Sequence, residues 1–148
     1  MIFIVFLGLP VSIKAPNNSL LVSPYLAGDL SILTNVKDIE FYDVITGRDG
    51  EQLKELIKNK YPELNTIITC ESQWDKDVCN KEYDCKAGMG LGQLIPKTIN
   101  YCSLKLNKTI DPFNAKDNLE CSLWLYIYEG NSHWRQSKSC WFKNVNKY

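Results

Sequence analysis

A chain of 148 residues with 45% hydrophobic composition can close one core and is too short for several. Seventeen basic residues balance seventeen acidic ones, which excludes the strongly basic footprint of a nucleic-acid binder. Fifteen of the basic residues are Lys, so forked guanidinium recognition of phosphate is disfavoured, and a neutral polymer held by hydrogen bonds and stacking fits better.

Residues 1–13 form a near-continuous apolar run, shorter than the roughly 20 residues that cross a bilayer. The length suits the core of a secretory signal, with Ser12 to Ala15 as its exit and only the amino terminus supplying positive charge. A buried first strand is the other reading. The expected organisation is an apolar leader over 1–15, a lead-in of unassigned role over 16–48 and the main domain over 49–148. Pro16, Pro24 and Gly28 interrupt the lead-in.

From Asp49 the pattern becomes helical. Asp49 caps, Gln52 sits three residues on, and Leu53, Leu56, Ile57 and Tyr61 share a face. Pro62 restarts the chain at the first turn of a second helix, where Leu64, Ile67, Ile68 and Glu71 recur at spacings of one side. A carboxyl that continues an apolar stripe is partly dehydrated, which disfavours its charged form and suits it to donate a proton near neutral pH. A polar loop from Asp75 to Lys86 follows, with Cys79 and Cys85 placed to close it. Then comes a turn with Gly88, Gly90 and Gly92, where something is expected to approach the backbone closely. It lacks the Gly-Lys-Ser/Thr ending of a phosphate loop and the preceding strand of a dinucleotide site. Pro96 opens a helix carrying Ile99, Cys102 and Leu106. Asn114 caps another, with Leu119, Leu123, Tyr126 and Ile127 inward and Gly130 as its stop.

The six cysteines, Cys70, Cys79, Cys85, Cys102, Cys121 and Cys140, are even in number and contain no Cys-x-x-Cys. The single His133 is not spaced as a zinc ligand, so disulfides in an oxidising compartment are favoured over a metal site, and the pairing stays open. The expected location is secreted or in the cell envelope.

Three blocks carry a resemblance. Glu71-Ser72, the run Ala87-Gly88-Met89-Gly90-Leu91-Gly92-Gln93-Leu94-Ile95-Pro96-Lys97-Thr98, and Asp111-Pro112-Phe113-Asn114 leading to Asn118-Leu119 resemble, in order, the soluble lytic transglycosylase family. That family is related in fold to goose-type lysozyme and cleaves peptidoglycan glycan strands; the resemblance covers about residues 50–130. It implies a mainly α, single lysozyme-like domain, here with disulfides added. It implies that Glu71 is the sole catalytic acid and base and that the Ser72 hydroxyl supports it. Met89, Gly90 and Gln93 would line the sugar groove, with Gln93 the main side-chain hydrogen-bonder, and Asn118 would face the site. Leu125 stands where the family has Tyr, leaving Tyr126 or Tyr128 to substitute. Gly92 stands where Met is common, which implies a wider groove floor.

The implied partner is peptidoglycan, with no nucleic acid, no metal and no cofactor, and the chain is expected to act as a monomer, alone or in a cell-envelope assembly. One carboxyl suffices if the substrate's own N-acetyl group attacks its anomeric carbon and its 6-hydroxyl then closes a 1,6-anhydro ring. A goose-type hydrolase would need a second acid, for which Asp75, Asp77 and Asp84 are the candidates, solvation being their plainer role. A non-catalytic glycan-binding module is the alternative of a different class. Trp74, Trp124, Trp134 and Trp141 divide between packing and sugar stacking, and His133 is read as structural.

Overall fold

The computed structural model describes residues 36–145, so the expected leader and the lead-in before residue 36 lie outside the described residues. The first described helix, α1 (Val36–Ile45), lies inside the expected lead-in. Phe41 and Ile45, four apart on one face, are buried in the core, so the helical domain begins by residue 36 and not at 49.

The next helix, α2 (Gly50–Lys60), starts at a reciprocal cap: Asp49 accepts from the Gln52 amide at 2.9 Å and Gln52 Oε1 accepts from the Asp49 amide at 3.0 Å. Pro62 opens α3 (Pro62–Ser72) and Pro96 opens α4 (Pro96–Lys105), each at the position where a missing N–H costs nothing. Asn114 caps α5 (Ala115–Glu129) by accepting from Asp117 N at 3.2 Å, and Gly130 ends it. Short 3-10 segments lie at Lys81–Tyr83 and Ser132–Ser137, and the last helix is α6 (Lys138–Val145). No strand occurs among the described residues, only an isolated antiparallel bridge between Cys79 and Met89.

The axis of the domain is α5. Every residue from Asn118 to Leu125 is buried, so this helix is enclosed on all sides in its middle, as one surrounded by other helices must be. Around it pack α1, α2 and α4, while α3 packs on α2 and also carries the 132–137 segment and α6. Glu120, buried in α5, is compensated by Lys108 and Lys116, each with an ammonium nitrogen 2.7 Å from the carboxylate.

All six cysteines are paired. Cys79–Cys85 closes the polar loop, Cys102–Cys121 ties α4 to α5, and Cys70–Cys140 ties α3 to α6. In the chain-entropy view, the 19-residue and 70-residue separations of the last two correspond to about 3 and about 4 kcal/mol. The domain is therefore mainly helical and disulfide-bonded. No helix among the described residues is long and apolar enough to cross a membrane.

Candidate active site

Glu71 lies in the last turn of α3, which stops where Gln73 and Trp74 take left-handed backbone conformations, φ 55° and 67°. Leu64, Ile67 and Ile68 on the same helix are fully buried, and Glu71, one turn further, is half-buried. It lines a cavity of ≈ 420 Å³. The glycine-rich turn contributes Gly92 to Ile95 to this cavity, α4 contributes Thr98, and the 132–137 segment contributes His133, Trp134, Gln136 and Ser137. Asn80 and Ala87 complete it.

Glu71 is the one carboxyl among the described residues of that lining. Burial pushes its pKa above the ordinary carboxylate range, and a hydrogen bond from the Ser137 hydroxyl to Glu71 Oε1 pulls partly back. Asp75, Asp77 and Asp84 line no part of the cavity and are exposed. Asp75 accepts from the Asp77 amide at 3.0 Å and Asp77 pairs with Lys76 at 2.6 Å, which is loop capping and solvated charge.

Ser72 does not support Glu71. Its hydroxyl is buried, donates to Ile68 O at 3.3 Å and accepts from Trp74 N at 3.2 Å, so it terminates α3 instead. The supporting hydroxyl is that of Ser137, 66 residues downstream, brought there by the segment that Cys70–Cys140 holds on α3.

The three glycines are approached closely, but by the protein itself. Gly90 has φ +66°, and a Cβ there would lie 2.0 Å from Pro112 O. A Cβ on Gly92 would lie 2.2 Å from Ser122 Oγ, and one on Gly88 2.7 Å from Gln93 Oε1. Gly92 therefore lets the turn press against α5; it does not widen the groove floor.

Asn118 is the clamp for this contact and does not face the cavity. Its side chain is fully buried: Oδ1 accepts from Gly92 N at 2.8 Å, and Nδ2 donates to Pro112 O at 2.8 Å and Met89 O at 3.1 Å. Ser122 Oγ, 3.4 Å from Oδ1, completes the set, so nothing is left for a sugar. Gln93 does line the cavity, yet both its amide protons are engaged, with Gly90 O at 2.8 Å and Val78 O at 3.0 Å. Met89 and Gly90 lie behind the lining: Met89 packs on the core and pairs its backbone with Leu94, and Gly90 N donates to Val78 O at 2.8 Å.

Tyr126 is not at the site either. Its hydroxyl donates to Glu63 at 2.8 Å, eight residues before Glu71 and so about 12 Å along α3. Burial first, then that carboxylate, pushes its pKa up to about 12. Tyr128 donates to Asp38, so neither tyrosine fills the place that Leu125 leaves.

Trp124, Trp134 and Trp141 are buried, and only Trp134 borders the cavity, its indole N–H donating to Gly92 O at 2.9 Å. Trp74 lines a separate cleft with Lys54. His133 sits at the cavity with Nε2 2.6 Å from Glu129 Oε2, a pairing that engages one ring nitrogen away from Glu71. Among the described residues no group of three or more His, Cys, Asp or Glu is placed to hold a metal.

Of the residues singled out in the sequence, Glu71, Gln93, His133 and Trp134 meet at the cavity, with Gly92 and Thr98 of the glycine-rich run beside them. Asn80, Gln136 and Ser137 join them with no local signature to mark them. No family model, curated protein or solved structure matches the chain.

Proposed function

We propose that this protein is a glycan-cleaving enzyme, a peptidoglycan lytic transglycosylase, with Glu71 as its only acid and base. The observation that carries the reading is a lone, half-buried carboxyl of raised pKa opening on a cavity whose other lining groups are neutral or, in His133, already paired. A group of this kind holds a proton closer to neutral pH than a solvated carboxylate does.

In the proposed reaction Glu71 gives its proton to the glycosidic oxygen as that oxygen leaves the anomeric carbon. The substrate's acetamido oxygen forms the replacing bond. The sugar's 6-hydroxyl then displaces that oxygen, and its proton passes to the Glu71 carboxylate. No water is consumed and no cofactor is required. Hydrolysis through a second acid is less well supported, since Asp75, Asp77 and Asp84 stand outside the lining. The proposed setting is secreted or in the cell envelope, in keeping with three disulfides in a domain of this size.

The test is product analysis. Purified protein incubated with peptidoglycan sacculi is expected to release muropeptides ending in 1,6-anhydro sugars, as read by mass spectrometry. Reducing ends would replace the transglycosylase reading with a hydrolase. Binding to sacculi with no release would leave a glycan-binding module.

A further inference from the structure

Among the described residues Glu71 has one side-chain partner, Ser137, and that serine is not the one the resemblance points to. Its hydroxyl oxygen lies between two acceptors, Glu71 Oε1 and, at 3.1 Å, the backbone oxygen of Trp134. A hydroxyl carries one proton and two lone pairs, so it cannot donate to both at once. The arrangement therefore has two complete states. With Glu71 ionised, Ser137 donates to the carboxylate. With Glu71 protonated, Ser137 accepts from the carboxyl and turns its own proton to Trp134 O.

We propose that Ser137 is a positioning residue for Glu71: a hydroxyl that rotates between two acceptors, keeping the carboxyl in one orientation as it loses and regains its proton. The proposal rests on the assignment of Glu71 as proton donor but is tested separately from it. The backbone that presents Ser137 is fixed by groups other than its hydroxyl. Trp141 Nε1 donates to Trp134 O at 2.9 Å, Trp134 Nε1 donates to Gly92 O at 2.9 Å, and Cys140 is bonded to Cys70. Loss of the hydroxyl thus leaves the segment in place.

Charges on the neighbouring elements point elsewhere. The ammonium groups of Lys54 and Lys58 on α2 lie over the Trp74 ring, that of Lys138 on α6 lies over Phe142, and His133 pairs with Glu129. Among the described residues the influences on Glu71 are burial and the Ser137 hydroxyl, not a charged group.

The experiment is a carbon-13 NMR titration of the Glu71 carboxyl in glutamate-labelled protein, the resonance being assigned by its absence in Glu71→Gln. Hydrogen bonds to a carboxylate are stronger than those to a carboxylic acid, so Ser137→Ala should move the Glu71 midpoint to higher pH. Ser137→Thr, which keeps the hydroxyl, should return it toward the parent value. An unmoved midpoint in Ser137→Ala, with unchanged circular dichroism, overturns the proposal. On sacculi, Ser137→Ala is expected to lose roughly ten-fold in kcat with little change in KM, and its alkaline limb should shift upward. The NMR readout needs no substrate. An inactive parent protein would therefore sink the enzymatic reading while still deciding the role of Ser137.

Discussion

Replacing Asn118 by Ala removes the clamp between the glycine-rich turn and α5, and its cost can be worked from the contacts. The buried Gly92 N–H loses its acceptor, and the half-buried carbonyls of Met89 and Pro112 lose a donor each. A buried unsatisfied N–H costs about 2–3 kcal/mol and each partly hydrated carbonyl about 0.5–1, for a total of about 3–5 kcal/mol. Set against a typical stability of about 5–15 kcal/mol, this is a large fraction. At about 4 °C per kcal/mol, Tm should fall by about 12–20 °C in thermal unfolding followed by circular dichroism. Asn118→Asp is the control. It keeps the acceptor for Gly92 N–H but turns a carboxylate toward two carbonyl oxygens, so it should be as damaging as Ala at pH 7. It should recover, relative to the parent at the same pH, as acid protonates the new carboxyl and restores one donor. A drop in Tm of under about 3 °C for Asn118→Ala, accompanied by a raised KM, would refute the clamp and return Asn118 to the sugar-binding role.

Three further outcomes follow from the same contacts. Gly90→Ala adds a Cβ 2.0 Å from Pro112 O at φ +66°, and should destabilise by several kcal/mol in denaturant titration; a loss under about 1 kcal/mol would mean that the turn yields freely. Tyr126→Phe removes a hydroxyl bonded to Glu63, so about 1 kcal/mol of stability should go while the KM for glycan stays within two-fold, and a markedly raised KM would place Tyr126 at the substrate after all. Glu71→Gln should be more stable than the parent at neutral pH. The raised pKa of Glu71 in the folded state means that its ionised form opposes folding. That penalty is absent below the unfolded-state pKa and grows as pH rises through the folded one. The gain in Tm should therefore be visible at pH 7 to 8 and fade by pH 4; a gain that persisted unchanged at pH 4 would have a cause other than ionisation.

The helix boundaries were legible because local chemistry sets them. Asp49 with Gln52, Pro62, Pro96, Asn114 and Gly130 act within a few residues of themselves, each through its side chain, its ring or, for Gly130 at φ 70°, its lack of a Cβ. Phe41 and Ile45 carried the same kind of signal, but a single pair of apolar residues four apart does not mark a helix by itself. Glu71 was legible because three buried aliphatics on its stripe fix how far it can reach water. The environment of that carboxyl was not. A polar residue at the start of a helix reads equally well as facing a groove or as a buried clamp, and Asn118 is the clamp because Gly92 and Pro112 happen to meet it. Glycines report a close approach without naming what approaches. Ser137 depends on which cysteine joins Cys70, a pairing that spacing does not determine.

In the proposed chemistry one carboxyl performs the proton transfers in this cavity. The direct measurement is release of soluble muropeptides from sacculi by Glu71→Gln beside the parent protein, with folding verified by circular dichroism. The amide keeps the shape and cannot shuttle a proton, so release is expected to fall by roughly a thousand-fold or more, in the range that loss of an essential acid produces. Release by Glu71→Gln within ten-fold of an active parent would contradict the account.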